Sequence, residues 1–357
     1  MDLNVPLPKM PVETPCFVVI EESVKHNLRQ TATLAGGVDR MVPHVKTHRS
    51  PWVTRYLVAN GVKAFKTATT REVEMVLDAG SPEVIWSYPT TSEAGIARAI
   101  AAADAHPEAR VTGVVDDASG LAVWVKLLAN GRHPNVDLRV DVDPGMGRTG
   151  VPIGDKAVEL AVDVSKAGLF AGWHIYDGHI QDLDLTVREA RFLDVQAKLT
   201  EMFKRTESAG LKTDIVGGGS YTFPFWAKHT QARVSPGSWV YTNSQHQADQ
   251  PHRGWKVGAY VLSRVVSDHE GTLTLDAGSK AVSPDMPMER RFVSAGVNKI
   301  VKMNEEHTLA IAPGLHTGDL VALVPRHTCT TAYLYRKALV LTAGGEWEYR
   351  DQLGCER

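Results

Sequence analysis

Apolar positions in this chain come in two textures. From about residue 40 to about residue 245, short apolar runs of strand length end in polar or glycine-rich residues, and each is followed by a stretch with helical spacing. Eight such runs stand out: Met41–His48, Ala64–Thr70, Glu83–Pro89, Arg110–Asp117, Asp137–Gly145, Phe170–Gly178, Asp214–Ser220 and Ala232–Gly237. Between them, Thr70–Gly80 opens on a capping residue and closes on glycine, and Leu185–Ala209 reads as a longer helix ending at Gly210. Strands alternating with helices predict parallel βα units. Eight of them predict an α/β fold of the (β/α)8 TIM-like barrel type, with its site at the carboxyl ends of the strands. A doubly wound open sheet is the structural alternative.

Beyond about residue 250 the texture changes. Val257–Ser267, Gly271–Asp276, Lys299–Met303, His307–Ala312, Leu320–Pro325, Ala332–Tyr335 and Lys337–Ala343 read as strands, with no long helical pattern between them. The expected organisation is an N-terminal segment over residues 1–30 that joins the β domain, a barrel over 31–248, and a C-terminal β-rich domain over 249–357. Within the first segment Cys16–Glu21 is strand-like and is expected to pair with the C-terminal domain.

Composition changes this picture little. The 357 residues suffice for more than one domain, and the 43% hydrophobic and 22% charged content is that of an ordinary globular protein. A net charge of −2 gives no reason to expect nucleic acid or an anionic membrane as partner. No apolar run reaches the length of a membrane span, and Met1–Pro6 lacks the pattern of a secretory signal. Three cysteines, Cys16, Cys329 and Cys355, are too few for a disulfide framework, so a cytoplasmic setting is expected.

The chemistry gathers at the predicted strand ends. Pro43-His44-Val45-Lys46-Thr47-His48-Arg49 closes the first strand with a lysine among basic neighbours. Neighbouring positive charge disfavours the ammonium form, and a neutral amine is a nucleophile able to form a Schiff base. A solvated basic loop is the plainer alternative. After the fifth strand, Asp143-Pro144-Gly145-Met146-Gly147-Arg148 supplies an arginine that suits a phenolate or carboxylate, although the segment alone reads as a turn. After the sixth, Tyr176-Asp177-Gly178-His179 and Asp182 gather groups suited to proton transfer, or equally a capped loop. Gly217-Gly218-Gly219-Ser220-Tyr221-Thr222 and Ser235-Pro236-Gly237 follow the last two strands, where phosphate sites recur in barrels. In the β-rich region His327 and Cys329, two apart on a predicted strand, point to one side and suit a borderline metal with open positions. From spacing alone, a buried cysteine beside an incidental histidine is the better reading of that pair. A nucleophilic lysine, a phosphate cradle and an arginine with a tyrosine between them are what pyridoxal 5′-phosphate needs.

Taken together, the lysine motif, Gly145–Gly150, Tyr176–His179, the Gly217–Gly219 run, Ser235–Gly237, Asn304–His307 and His327–Cys329 resemble one family nearly from end to end. It is the D-threonine aldolase and D-serine dehydratase group of pyridoxal-phosphate enzymes, built on the alanine-racemase-type barrel with a β domain. The resemblance implies Lys46 as the cofactor lysine. It implies His327 and Cys329 as ligands of a divalent metal, zinc or manganese foremost, which reverses the reading from spacing. It also implies a homodimer and a small D-amino acid as substrate.

The expected activity is cleavage of D-3-hydroxy amino acids to glycine and an aldehyde. Lys46, His179 and Tyr176 are its candidate catalytic residues, with His179 taking the proton of the β-hydroxyl, Asp177 and Asp182 as the alternatives for that base, and Asp177 otherwise orienting the imidazole. Arg148, Tyr176, Gly217, Gly218, Gly219, Ser220, Thr222, Ser235 and Gly237 are the candidate cofactor contacts besides Lys46. The alternatives are a D-serine-type dehydratase, which the cysteine at the metal pair favours, and a non-catalytic pyridoxal-phosphate-binding protein.

Overall fold

The computed structural model describes residue 3 and residues 5–357. Met1, Asp2 and Asn4, part of the stretch read above as lacking a secretory signal, lie outside the described residues. The chain forms two compact units: residues 32–46 and 53–237 with residue 357 make one, and residues 1–31, 47–52 and 238–356 make the other.

In chain order, strand β1 (Cys16–Ile20) is followed by the strands of the α/β unit. These are β2 (Ala64–Thr67), β3 (Glu83–Trp86), β4 (Arg110–Val115), β5 (Val136–Asp143), β6 (Val151–Pro152), β7 (Phe170–Ile175), β8 (Ile215–Gly217) and β9 (Arg233–Val234). The main strands run parallel in the order β2-β3-β4-β5-β7-β8-β9, a curled sheet with helices between the strands, and β6 is a short addition beside β5. Helices lie between parallel strands, as the alternating pattern predicts.

The first predicted strand, Met41–His48, is not a continuous strand. It makes isolated bridges only, Met41 with Val234 and His44 with Lys66. Pro43 has no N–H to give a ladder, yet its carbonyl accepts from Lys66 N and Val42 N donates to Val234 O. The segment thereby links β9 to β2 across the ends of the sheet. Inside, Val42, Ala64, Ile85, Val114 and Val216 form an apolar cluster.

The other unit is a sheet built on β1 with β10 (Ala259–His269), β11 (Thr272–Leu275), β12 (Phe292–Val293), β13 (Lys299–Met303), β14 (Thr308–Ile311), β15 (Leu320–Pro325), β16 (Lys337–Leu341) and β17 (Trp347–Asp351). As expected, β1 joins this sheet: it runs antiparallel to β10 and parallel to β16. Val18, Ile20, Tyr260, Leu262, Val324 and Leu339 pack its core. The strand expected at Ala332–Tyr335 does not form; Thr328–Ala332 is a short helix instead. Two threonine hydroxyls fold back onto the His327 carbonyl there, from Thr330 and Thr331, each at 3.2 Å. Such local bonds compete with a strand ladder.

Candidate active site

The loops at the carboxyl ends of the parallel strands enclose a cavity of about 430 Å³ lined by His44, Lys46, Lys66, Tyr88, Arg148, His174 and Tyr176, among others. Each lining group is placed by local sequence logic. The Thr69-x-x-Glu72 box starts the helix Thr70–Asp78: Thr69 Oγ1 accepts from Glu72 N at 3.2 Å, and Glu72 Oε2 accepts from Ala68 N at 2.6 Å. That fixes Ala68 at the cavity wall just past Lys66. Asp143 accepts from the N–H groups of Gly145, Met146 and Gly147 at 2.7–3.0 Å, which bends the chain so that Arg148 returns over the cavity.

Tyr176 is the centre of the arrangement. The Arg148 guanidinium lies 4.8 Å from its ring centre, Lys66 Nζ 5.4 Å and Lys46 Nζ 5.9 Å. The ring can lie flat there because Gly178 has no side chain: a Cβ on that residue would meet the ring at 2.5 Å. Three basic side chains therefore face one aromatic ring, and no carboxylate lines the cavity among the described residues. Such a wall suits an anionic, flat ligand.

Lys66 and the pair His174–Asp141 escaped the sequence reading. Lys66 is 2% exposed and donates to Ser235 Oγ at 2.9 Å. Burial, with Lys46 and Arg148 adding to it against Asp141 and Asp177, pushes its amine down to about 7. The detectable signal was a lysine inside Ala64–Thr67, a strand otherwise fit for burial on both faces. His174 Nδ1 lies 2.6 Å from Asp141 Oδ1, and Thr149 Oγ1 donates to the other oxygen of that carboxylate at 3.0 Å. Burial and the positive charge of Lys66 lower the histidine's proton affinity against the pull of Asp141. Its buried Nε2 has no hydrogen-bond partner among the described residues and belongs to a residue of the cavity wall.

Of the other predicted residues, Ser235 reaches the cavity through Lys66. The Gly217–Gly219 run is engaged internally. Gly218 N donates to Ile175 O at 3.1 Å, and Gly219 N donates to Asp177 Oδ1 and to Thr222 Oγ1, both at 3.1 Å. Gly218 is needed for its backbone, with φ +83°, and a Cβ on it would meet Trp226 at 2.7 Å. Thr222 is fully buried and donates to Asp177 at 2.6 Å. Ser220 and Gly237 stand beside these groups in sequence but are not among the lining residues. His179 lies outside the lining as well, and its buried Nδ1 has no hydrogen-bond partner among the described residues. His48 is not a charged neighbour of the lysine motif: burial lowers it to about 3. Arg49 is spent on the carbonyls of Gly354, at 2.7 Å, and Glu356.

His327 and Cys329 belong to the strand-rich unit. They do not sit on a strand: His327 caps the short helix that contains Cys329, because the threonines described above close that turn. The imidazole still reaches the thiol. Burial opposes its charge, but Cys329 and Asp285 outweigh that and raise it to about 9. His327 Nδ1 lies 2.5 Å from Asp285 Oδ2, and Thr47 Oγ1 lies 3.2 Å from Cys329 Sγ. No group of three or more His, Cys, Asp or Glu side chains poised for a metal occurs among the described residues. An imidazole whose other nitrogen is held by a carboxylate, next to a thiol, fits a divalent ion with open positions.

Residues 20–245 match the model of the alanine racemase N-terminal domain, and residues 258–341 match that of a putative serine dehydratase domain. The D-threo-3-hydroxyaspartate dehydratase of Delftia sp. HT23 is 22% identical, over 94% of this chain and 97% of that protein. A crystal structure of D-threonine aldolase from Filomicrobium marinum superposes with a TM-score of 0.86, at 24% identity over 95% of both chains. The Delftia dehydratase gives 0.80 at 18% identity, over 96% of this chain and 98% of that one.

Proposed function

The chain belongs to the alanine racemase N-terminal domain family, and from that premise we propose that it is a pyridoxal-phosphate-dependent lyase of D-3-hydroxy amino acids, cleaving them to glycine and an aldehyde. The observation that carries the reading is the cavity at the strand ends, where Lys46, Lys66 and Arg148 surround Tyr176 with no acidic side chain in the wall. Pyridoxal phosphate, when bound, supplies an electron-accepting ring conjugated with the amino acid's α-carbon. Lys46 is the proposed point of attachment. Arg148 and Lys66 supply positive charge for the anionic groups. Ser220 and the Ser235–Gly237 turn are the proposed neighbours of the phosphate, and the amides of Gly218 and Gly219 already have acceptors. His327 and Cys329 are the proposed holders of a zinc or manganese ion, which would supply a Lewis acid for a hydroxyl oxygen. His179 is the proposed base for the β-hydroxyl proton.

A dehydratase is the second reading. It is favoured by the serine dehydratase domain match and by Cys329, since a D-threo-3-hydroxyaspartate dehydratase was solved as a cysteine-to-alanine mutant in the metal-free form.

Product identification separates the two. With D-threonine, the protein loaded with pyridoxal phosphate and manganese is expected to release glycine and acetaldehyde. Chelation is expected to stop the reaction, and Lys46→Ala is expected to leave no borohydride-reducible adduct at that position. Ammonia and a 2-oxo acid without glycine establish the dehydratase instead, and no turnover of any D-3-hydroxy amino acid refutes both.

A further inference from the structure

Lys66 is a buried amine without a counter-charge. Its Nζ donates to Ser235 Oγ, and no carboxylate among the described residues lies within ion-pair distance of it. Ser235 Oγ in turn donates to Gly218 O at 3.0 Å, so it offers the amine a hydroxyl dipole and no charge. Yet the amine opens onto a cavity already walled by Lys46 and Arg148. Burying a cation among cations is costly unless something negative arrives. The charged and titratable groups facing it are Lys46 beside the first bridge, Asp141 on β5, Arg148 beyond β5, and His174 and Asp177 on and after β7. Asp141 is committed to His174 and Thr149, and Asp177 to Thr222, Trp226 and Gly219, so neither turns to Lys66.

We propose that Lys66 is the switchable counter-charge of this cavity, neutral while the cavity is empty and protonated when an oxyanion of a phosphorylated ligand enters. The choice of ligand rests on the cofactor reading above; the behaviour of the amine does not. Buried without a counter-ion, and with its proton affinity lowered to about 7, Lys66 is poised to change charge near neutral pH. An anion that stabilises the ammonium draws that missing proton from solvent.

Titration calorimetry of the full-length apoprotein at pH 7.5, in two buffers of different ionisation enthalpy, counts the protons taken up. The probes are 4′-deoxypyridoxine 5′-phosphate, which lacks the aldehyde and so cannot bond to Lys46, and inorganic phosphate. Because the phosphate of each probe also titrates near neutral pH, the readout is the difference from Lys66→Arg, whose charge is fixed: the wild type is expected to take up more protons per site than that variant. Lys66→Arg is expected to bind well, and Lys66→Met to lose the excess uptake and bind at least about tenfold more weakly. A merely structural lysine would leave the proton counts of wild type and Lys66→Arg equal. An equal count in wild type and Lys66→Arg, an excess that persists in Lys66→Met, or failure of both probes to bind the wild type overturns the proposal. If the analogue fails while inorganic phosphate binds with Lys66-dependent uptake, the cofactor reading falls and the assignment of Lys66 stands.

Discussion

A carboxylate cut off from water persists only where donors surround it, and Asp177 has three. Gly219 N–H lies at 3.1 Å, Thr222 Oγ1 at 2.6 Å and Trp226 Nε1 at 2.8 Å. They tie the end of β7 to the loop after β8, so Asp177 holds the wall that carries Tyr176 and is not offered to substrate. Burial raises its proton affinity against the pull of these donors. Asp177→Ala leaves the Thr222 hydroxyl and the Trp226 indole N–H without their acceptor and should cost about 2 kcal/mol or more, seen as a fall in the urea midpoint. An unchanged midpoint would show that the loops are held by other means. In sequence, Tyr176, Asp177 and His179 look alike as polar residues after a strand. Only the fold shows that the phenol faces the cavity while the carboxylate faces inward. Lys46, Arg148 and Tyr176 were legible as residues of the cavity because each follows an apolar run of the sequence, at the end where a barrel opens its site. Lys66 was not legible, because period-2 alternation does not say which side of a closed sheet receives a long polar side chain.

At the scale of elements, strand positions were largely legible because parallel strands bury both faces and read as apolar runs. Failures came where side chains overrode the pattern. Pro43 reduced the first strand to bridges, and Thr330 and Thr331 turned the expected strand near His327 into a helical turn. β17 was missed: Trp347–Asp351 is mostly polar and pairs only with β16. The Thr69–Glu72 box was half seen, with the cap placed one residue late, at Thr70. Thr69→Ala should destabilise by about 1 kcal/mol. It should also increase amide exchange across residues 68–72, where the helix start and the cavity wall meet. Uniform exchange over the whole unit, with no local excess, would show that the box does not act locally.

For the molecule as a whole, chemistry and stability lie at opposite ends of the parallel sheet. Glu83, Asp214 and Arg233 sit at or beside strand starts and meet Arg139 of β5. Arg233 grips Glu83 at 2.6 and 3.0 Å, and Arg139 reaches Asp214 at 2.7 Å. Burial opposes the Asp214 charge, but Arg139 and Arg233 outweigh it and lower its pKa. A carboxyl whose folded pKa lies below its unfolded value of about 3.9 stabilises fully above that value. The contribution drains away as the pH falls through the folded value. Thermal melts from pH 7 down to pH 3 should therefore show a steeper acid loss for the wild type than for Asp214→Asn; parallel curves would remove this network from the acid response.

β1 has a consequence in time. Its hydrogen-bonding neighbours, β10 and β16, are encoded some 240 to 320 residues downstream. At about 5–20 residues per second, a ribosome takes on the order of 12 to 64 seconds to deliver them. Until β10 emerges Cys-Phe-Val-Val-Ile is an apolar ribbon with both edges open, and by then residues 53–237 of the α/β unit have been synthesised. Nascent chains stalled near residue 250 should therefore recruit holding chaperones through residues 16–20, and lose them once the last strands emerge.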